Sequence, residues 1–149
     1  MEHRFETFTL LIASINRCIR KIKSEEMAEF NLKSPHVSCL YYLYKSDSLT
    51  ASELCDMCEE DKANISRSIK FLEENGYIVC RTNLQKRYQS PLSLTEKGRR
   101  VGQHINDLIN KMLEHASEGL SEEERIILYR SLSLINTNLQ HICEAYDKD

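Results

Sequence analysis

Glycine and proline are scarce in this chain, which holds four and two of them among 149 residues. Loop-rich and all-β folds need many such turn residues, so both are disfavoured. The longest apolar run is the six residues 39–44, whereas a membrane-spanning helix needs about 20, so we expect no membrane partner. The start of the chain carries Glu2 and Glu6 and has no small-residue cleavage site. It does not have the form of a signal peptide, which predicts a cytoplasmic protein.

Basic residues are concentrated in one part of an otherwise acidic chain. The net charge is −3, but the stretch from Lys62 to Arg100 carries nine basic and three acidic residues. That stretch therefore has a net charge of +6, and the remainder one of −9. Such a block is the electrostatic footprint expected of a protein that binds an anionic polymer. Chance clustering on a solvated helical face is the alternative explanation.

Helix starts are marked by capping signals. Thr50–Glu53 and Ser121–Glu124 have the spacing of capping boxes, Asp61 and Thr95 are further N-cap candidates, and Ser34–Pro35 reads as an N-cap followed by proline at the first helical position. Gly76 suits a left-handed helix end. These signals predict helices over residues 4–29, 35–45, 51–58, 62–75, 96–117 and 122–146.

The segment between the fourth and fifth predicted helices has a different composition. Residues 77–82 are β-prone and residues 90–94 form a weaker second strand, with the polar stretch 83–89 between them. This pattern predicts a β-hairpin with a basic tip. Because Pro91 cannot donate to a sheet ladder, the second strand should be an edge strand or a short pairing.

The terminal helices carry apolar residues at alternating spacings of three and four. This 3.5-residue repeat is typical of helices that pack at a shallow angle along a shared seam. Three such seams exceed what a small middle domain can cover, so we expect an obligate homodimer. Residues 1–31 and 99–149 would form its helical dimerisation region, and residues 32–98 the head. The seam residues are Phe5, Phe8, Ile12, Ile15, Ile19 and Ile22, then Val101, Ile105, Leu108 and Met112, then Leu128, Leu132, Ile135, Leu139, Ile142 and Tyr146.

Four segments of the chain follow one another at a characteristic spacing: LTASEL at 49–54, DKANISR at 61–67, LEENGYI at 72–78 and SLTEKG at 93–98. With these segments the chain resembles the multiple antibiotic resistance regulator (MarR) family of winged-helix proteins. This resemblance implies a mainly α fold with a small β-wing, in which a winged helix-turn-helix head is flanked by dimerisation helices. It also implies a DNA-binding transcriptional regulator, namely a repressor that a ligand releases from DNA.

Helix 62–75 is the recognition helix in this interpretation. Ile65, Ile69 and Leu72 form its inward stripe. Asn64 suits adenine and Arg67 suits guanine, and Ala63 permits close approach to a thymine methyl group. The two heads of a dimer would lie one DNA turn apart, about 34–36 Å, so an inverted-repeat operator in double-stranded DNA is expected. The remaining candidate DNA contacts are Lys62, Ser66, Ser68 and Lys70 on the helix and Lys86 and Arg87 at the wing tip.

Some positions depart from the family pattern. Glu59 and Glu60 stand where Gly and an apolar residue are common, and two acids near the DNA backbone should weaken binding. Lys86 replaces the acid that would brace Arg87. These departures keep a second function open, that of a winged-helix protein–protein adaptor without specific DNA binding.

The resemblance also implies a small aromatic effector, bound between the dimerisation helices and the head. The candidate lining residues are Arg17, His36, Tyr41, Tyr42 and Tyr44. No phosphate-binding loop, nucleophile elbow or catalytic triad signature is present in the sequence, so neither an enzyme nor a cofactor is expected.

Six cysteines are expected to be reduced in a cytoplasmic protein. Cys55 and Cys58 have the spacing of a metal or redox motif but lie in a predicted helix, where core packing is the simpler interpretation. No fitting second pair of ligands accompanies them, so no metal site is predicted. A thiol-redox sensor that uses Cys18 or Cys80 remains a third possibility.

Overall fold

The computed structural model describes residues 4–58, 60–80 and 89–146. Within these residues the chain is mainly helical with one small sheet, as the sequence predicted. The elements are α1 (Arg4–Glu26), a 3-10 turn (Ala28–Phe30), α2 (Ser34–Ser46), β1 (Ser48–Leu49), α3 (Ala51–Cys58), α4 (Lys62–Glu74), β2 (Ile78–Cys80), β3 (Leu92–Leu94), α5 (Glu96–Ala116) and α6 (Glu122–Tyr146). No helix among the described residues is long and apolar enough to cross a lipid bilayer.

Both predicted capping boxes are present and fix the starts of α3 and α6. The Thr50 N–H donates to the Glu53 carboxylate at 2.7 Å, and the Glu53 N–H donates to Thr50 Oγ1 at 3.2 Å. Ser121 and Glu124 exchange the same two bonds at 2.8 and 3.2 Å. Caps of this kind each stabilise a helix by about 0.5–2 kcal/mol, which explains why these boundaries are legible in the sequence.

The start of α2 differs from the prediction. The helix begins at Ser34, so Lys33 is its N-cap residue and Ser34 is not. The Lys33 N–H donates to Nδ1 of His36 at 3.1 Å. The His36 ring therefore takes the place of the Glu of a capping box, which accepts from the N-cap N–H, and Ser34 is buried instead.

The sheet has the antiparallel order β1-β3-β2. Strand β3 pairs with β2 from Ile78↔Leu94 to Cys80↔Leu92, as the predicted hairpin requires, and with the two-residue β1 on its other side. The weaker predicted strand is thus a short pairing, and it is central rather than at the edge. Pro91 precedes the first paired residue, so its missing N–H removes no ladder bond.

The N-terminus of α5 is fastened to the turn that follows α4. Gly76 adopts a positive φ of 74° there. The Thr95 hydroxyl donates to the Gly76 carbonyl at 2.6 Å, and the Thr95 N–H donates to the Tyr77 carbonyl at 3.0 Å. Thr95 Oγ1 also accepts from the Gly98 N–H at 3.0 Å, which confirms Thr95 as an N-cap. The end of one helix and the start of another are therefore held at a single point.

The chain divides into two compact units, Met1–Leu108 and Ile109–Asp149. The apolar core of the first unit contains Leu40, Leu54, Ile65 and Leu72, all fully buried. Val101 and Ile105, which the sequence assigned to a dimer seam, are also buried, at 8% and 0% exposure. That part of the α5 seam is therefore not open for contact with a second chain.

Candidate DNA-binding surface

Helix α4 has one buried face and one exposed face. Ile65, Ile69 and Leu72 are buried, as the sequence predicted. The Asp61 carboxylate accepts from the Asn64 N–H at 2.7 Å and so fixes the start of the helix. The predicted DNA contacts that lie exposed on this helix are Lys62, Ala63, Ser66, Arg67 and Lys70.

Two groups of predicted contacts do not lie on this face. Ser68 is only 2% exposed, because it lies on the inward side of α4 beside Ile65 and Ile69. The prediction that its hydroxyl reaches a DNA phosphate is therefore wrong for this conformation. Lys86 and Arg87, the predicted wing contacts, lie outside the described residues.

Asn64 is half-buried and engaged with the turn that precedes α4. Its Nδ2 donates to Oε2 of Glu60 at 2.5 Å. The other carboxylate oxygen of Glu60 is paired with the guanidinium group of Arg20 on α1. The Glu60 side chain is only 12% exposed, against 51% for Arg20. Glu60 is thus turned inward with a positive partner, which offsets part of its charge.

The thiols at the same turn form a small polar cluster. The Cys55 thiol donates to the Glu60 carbonyl at 2.8 Å. A hydrogen bond from the fully buried Cys39 lowers the pKa of Cys58, and the positive charge of Lys23 acts in the same direction. That bond, together with burial, raises the pKa of Cys39 well above its ordinary value. The sequence predicted that Cys55 and Cys58 pack in the core, and both are half-buried in α3.

Lys23 belongs to the same cluster and approaches it from α1. Its Nζ donates to Ser38 Oγ on α2 at 3.2 Å. Burial lowers the pKa of Lys23. Among the described residues, no group of three or more His, Cys, Asp or Glu side chains is arranged to hold a metal ion.

The predicted effector residues lie in different surroundings. His36 stacks on Phe71 of α4, with ring centroids 4.3 Å apart and an interplanar angle of 4°. Tyr41 and Tyr42 contact each other edge to face at 5.3 Å. Tyr44 packs against Gly102 of α5, and Arg17 is exposed on α1. At about 100° per residue, Tyr41 and Tyr44 lie about 60° apart on α2, whereas Tyr42 and Tyr44 point about 160° apart.

A cavity of about 630 Å³ lies instead beside the recognition helix. It draws on α3, α4 and β3, and two of its lining residues, Ser66 and Lys70, are predicted DNA contacts. No sequence pattern indicates this cavity, because its walls come from three elements that only folding brings together. Its lining residues are Ala51, Ser66, Ile69, Lys70, Glu73, Glu74 and Leu92.

Comparison with known proteins identifies the fold and the family. Residues 36–112 match the family model described as a winged helix DNA-binding domain. Two relatives from Bacillus subtilis are HTH-type transcriptional regulators: YwoH is 30% identical, with 77% of this chain and 85% of the relative covered, and YybA is 26% identical, with 92% and 91% covered. A solved structure of a MarR family transcriptional regulator from Listeria monocytogenes, complexed with 26mer DNA, has a TM-score of 0.79 at 27% identity. The match covers 86% of this chain and 85% of the Listeria chain.

The described geometry agrees with these likenesses element by element. Helices α3 and α4 form the helix-turn-helix, and β1, β2 and β3 form the sheet of a winged domain. The buried stripe of α4 seats that helix on the head and leaves its other face exposed. The chain belongs to the winged helix DNA-binding family and is a transcriptional regulator of the MarR type.

Proposed function

We propose that the protein is a homodimeric repressor that binds an inverted-repeat operator and is released by a small ligand. The observation that carries the DNA-binding part is the exposed face of α4, with Arg67 and Lys70 open to solvent while the opposite stripe is buried. A helix seated in this way can enter the major groove without leaving the core. Arg67 would read guanine, and Lys62 and Ser66 would contact phosphates.

Exposed apolar surface supports the dimer. On α1, Ile12 and Ile15 are 41% and 52% exposed, and on α6 Leu139 and Ile142 are 49% and 52% exposed. Several large apolar side chains exposed along one helix are more typical of an interaction site than of a solvated face. In this proposal the dimerisation region comprises residues 1–31 and 99–149, although the buried part of α5 contributes to the head. The two recognition helices would then lie about 34–36 Å apart, as the inverted repeat requires.

The effector in this proposal is a small aromatic compound. His36 is the strongest of the predicted contacts, because it already stacks on the recognition helix through Phe71. A ligand that displaced this contact would act on α4 directly. Repression by occlusion of a promoter completes the proposal.

A titration tests the DNA-binding part. The purified protein is titrated against the DNA upstream of its own gene at about 50 mM and about 200 mM salt, because phosphate contacts give a steep loss of affinity with salt. Arg67→Ala should reduce specific binding by about 5- to 150-fold, the equivalent of one base contact of 1–3 kcal/mol, and change non-specific binding less. Glu29→Ala, an exposed acid outside the site, is the control for folding. Salt-insensitive or undetectable binding to this DNA and to a random-sequence pool would favour the protein–protein adaptor.

A thiol response is a second candidate, which the Cys39–Cys58 pair favours over Cys18 or Cys80. The oxidant diamide would take two electrons and two protons from the two thiols and leave a disulfide between α2 and α3. DNA release by diamide that Cys58→Ser abolishes would support this function. Release that persists in Cys58→Ser would assign it to another thiol.

A further inference from the structure

The turn between α3 and α4 places one carboxylate between two helices. Glu60 accepts from Asn64 Nδ2 at 2.5 Å on one oxygen and is paired with Arg20 on the other. The main chain of Asn64 is fixed separately by its N–H bond to Asp61. Both the backbone and the side chain of Asn64 are therefore held by neighbouring acids.

This arrangement defines which way the Asn64 amide faces. A carboxylate only accepts hydrogen bonds, so it can hold the amide nitrogen but not the amide oxygen. The amide nitrogen carries two hydrogens, and the bond to Glu60 uses one of them. One N–H and the carbonyl oxygen remain. These are the two groups that a bidentate contact with N7 and the N6 amino group of adenine requires.

The ion pair with Arg20 places a positive charge beside this carboxylate near DNA. A charged acid is otherwise unfavourable beside phosphates, which the pairing with a guanidinium group offsets. Since Arg20 lies on α1, 40 positions before Glu60, the orientation of a base-reading side chain depends on a helix that does not enter the groove.

We propose that Glu60 is a positioning residue that presets the Asn64 amide for adenine, with Arg20 as its counter-charge. This inference rests on the proposed entry of α4 into the major groove. It assigns a specificity role to a side chain that does not itself contact DNA. It also explains how an acid is accommodated at the start of a recognition helix.

The test measures base preference rather than affinity alone. A preferred operator is first selected from random double-stranded DNA with the unaltered protein. Binding is then measured by fluorescence anisotropy on that operator and on versions with each half-site base replaced. The unaltered protein should prefer adenine at one position by about 5- to 150-fold, and Asn64→Ala should abolish that preference.

Glu60→Ala should reduce the adenine preference at that position at least fivefold and leave the preferences at other positions unchanged. In the Asn64→Ala background, Glu60→Ala should have no further effect on that position. Glu60→Gln, whose amide oxygen still accepts a hydrogen bond, should retain part of the preference. Arg20→Ala should lower affinity for all sequences, because it leaves an uncompensated acid near the phosphates. Glu29→Ala is the matched loss of one negative charge, and thermal melting checks folding.

Several outcomes would overturn the inference. An unchanged adenine preference in Glu60→Ala, or an equal loss of affinity for every base, would reduce Glu60 to a structural residue. A preference that survives Asn64→Ala would show that another side chain reads this base. In all three outcomes the unaltered protein still binds DNA sequence-specifically. They are therefore distinct from failure of the proposed function, in which no operator is selected at all.

Discussion

Gly98 shows how strongly a single position can be constrained by its neighbours. It lies in the first turn of α5, and a Cβ added there would stand 1.9 Å from the Tyr77 carbonyl oxygen. The same carbonyl accepts the Thr95 N–H at 3.0 Å, so it cannot move away without loss of that bond. The close approach of α5 to the turn after α4 therefore requires glycine.

We expect Gly98→Ala to lower the free energy of unfolding by about 1–3 kcal/mol, the usual effect of overpacking. In an unconstrained helix the same change stabilises by about 1 kcal/mol, so the sign of the effect is diagnostic. Thermal melting measures it. Gln103→Ala, at an exposed position of the same helix, should change stability by less than about 0.5 kcal/mol. A stabilised Gly98→Ala variant would contradict the close approach.

His36 couples the start of α2 to the recognition helix through its neutral form. Burial lowers its pKa below the ordinary 6.5, and the charge of Lys33 adds to this effect. The neutral ring accepts the Lys33 N–H through Nδ1, which a protonated ring cannot do. The folded protein thus binds a proton at His36 less readily than the unfolded chain does.

Because the folded pKa is the lower one, stability is fully present above pH 6.5 and is lost as the pH falls from 6.5 through the folded pKa. We expect the melting temperature to fall between about pH 7 and pH 5.5. His36→Asn, which does not titrate in this range, should show a smaller fall. His115→Asn, at an exposed position, should behave like the unaltered protein. Equal falls in all three proteins would assign the pH dependence to other groups.

At the scale of elements, features that depend on nearby residues could be predicted from the sequence, and features that depend on tertiary contacts could not. The capping boxes at Thr50 and Ser121 each lie within four residues, so these local bonds determine where the two helices start. Strand β1 has only two residues and exists because β3 is beside it. The start of α2 depends on where the His36 ring lies, and that ring is held by Phe71 of another helix. No local pattern could predict either feature.

The candidate site divides in the same way. The exposed face of α4, with Arg67 and Lys70, follows from the 3.6-residue period and was predictable. The burial of Ser68 follows from the same period, because positions 65, 68, 69 and 72 lie on one helical face, whereas its assignment to DNA rested on its hydroxyl group alone. The role of Glu60 depends on Arg20, which is 40 positions away in the chain. The effector residues were grouped by chemical type, and the structure places Arg17 on α1 and the other four on α2.

At the scale of the whole molecule, α6 exposes apolar residues that the proposed dimer would cover. Ile135 and Leu139 are 37% and 49% exposed, although both belong to the predicted seam. A helix with such a stripe is stable in water when a second surface covers the stripe. The proposed dimer supplies that surface.

We expect Ile135→Glu with Leu139→Glu to halve the mass measured by light scattering, because four like charges cannot be buried in one interface without a large desolvation penalty. The control is Asn136→Glu with Gln140→Glu, which adds the same charge one position further round the helix. That control should remain a dimer. An unchanged mass for the first variant would contradict the seam.

The hydrogen bonds of Thr95 close the base of the wing independently of its tip. They join the ends of the hairpin to the head at Gly76 and Tyr77, so the segment between β2 and β3 leaves and re-enters at fixed points. Closing a flexible loop costs only about 0.6 kcal/mol more for each doubling of its length. Replacing the segment between β2 and β3 by one of another length should therefore leave the fold of the head, and with it the recognition helix, intact.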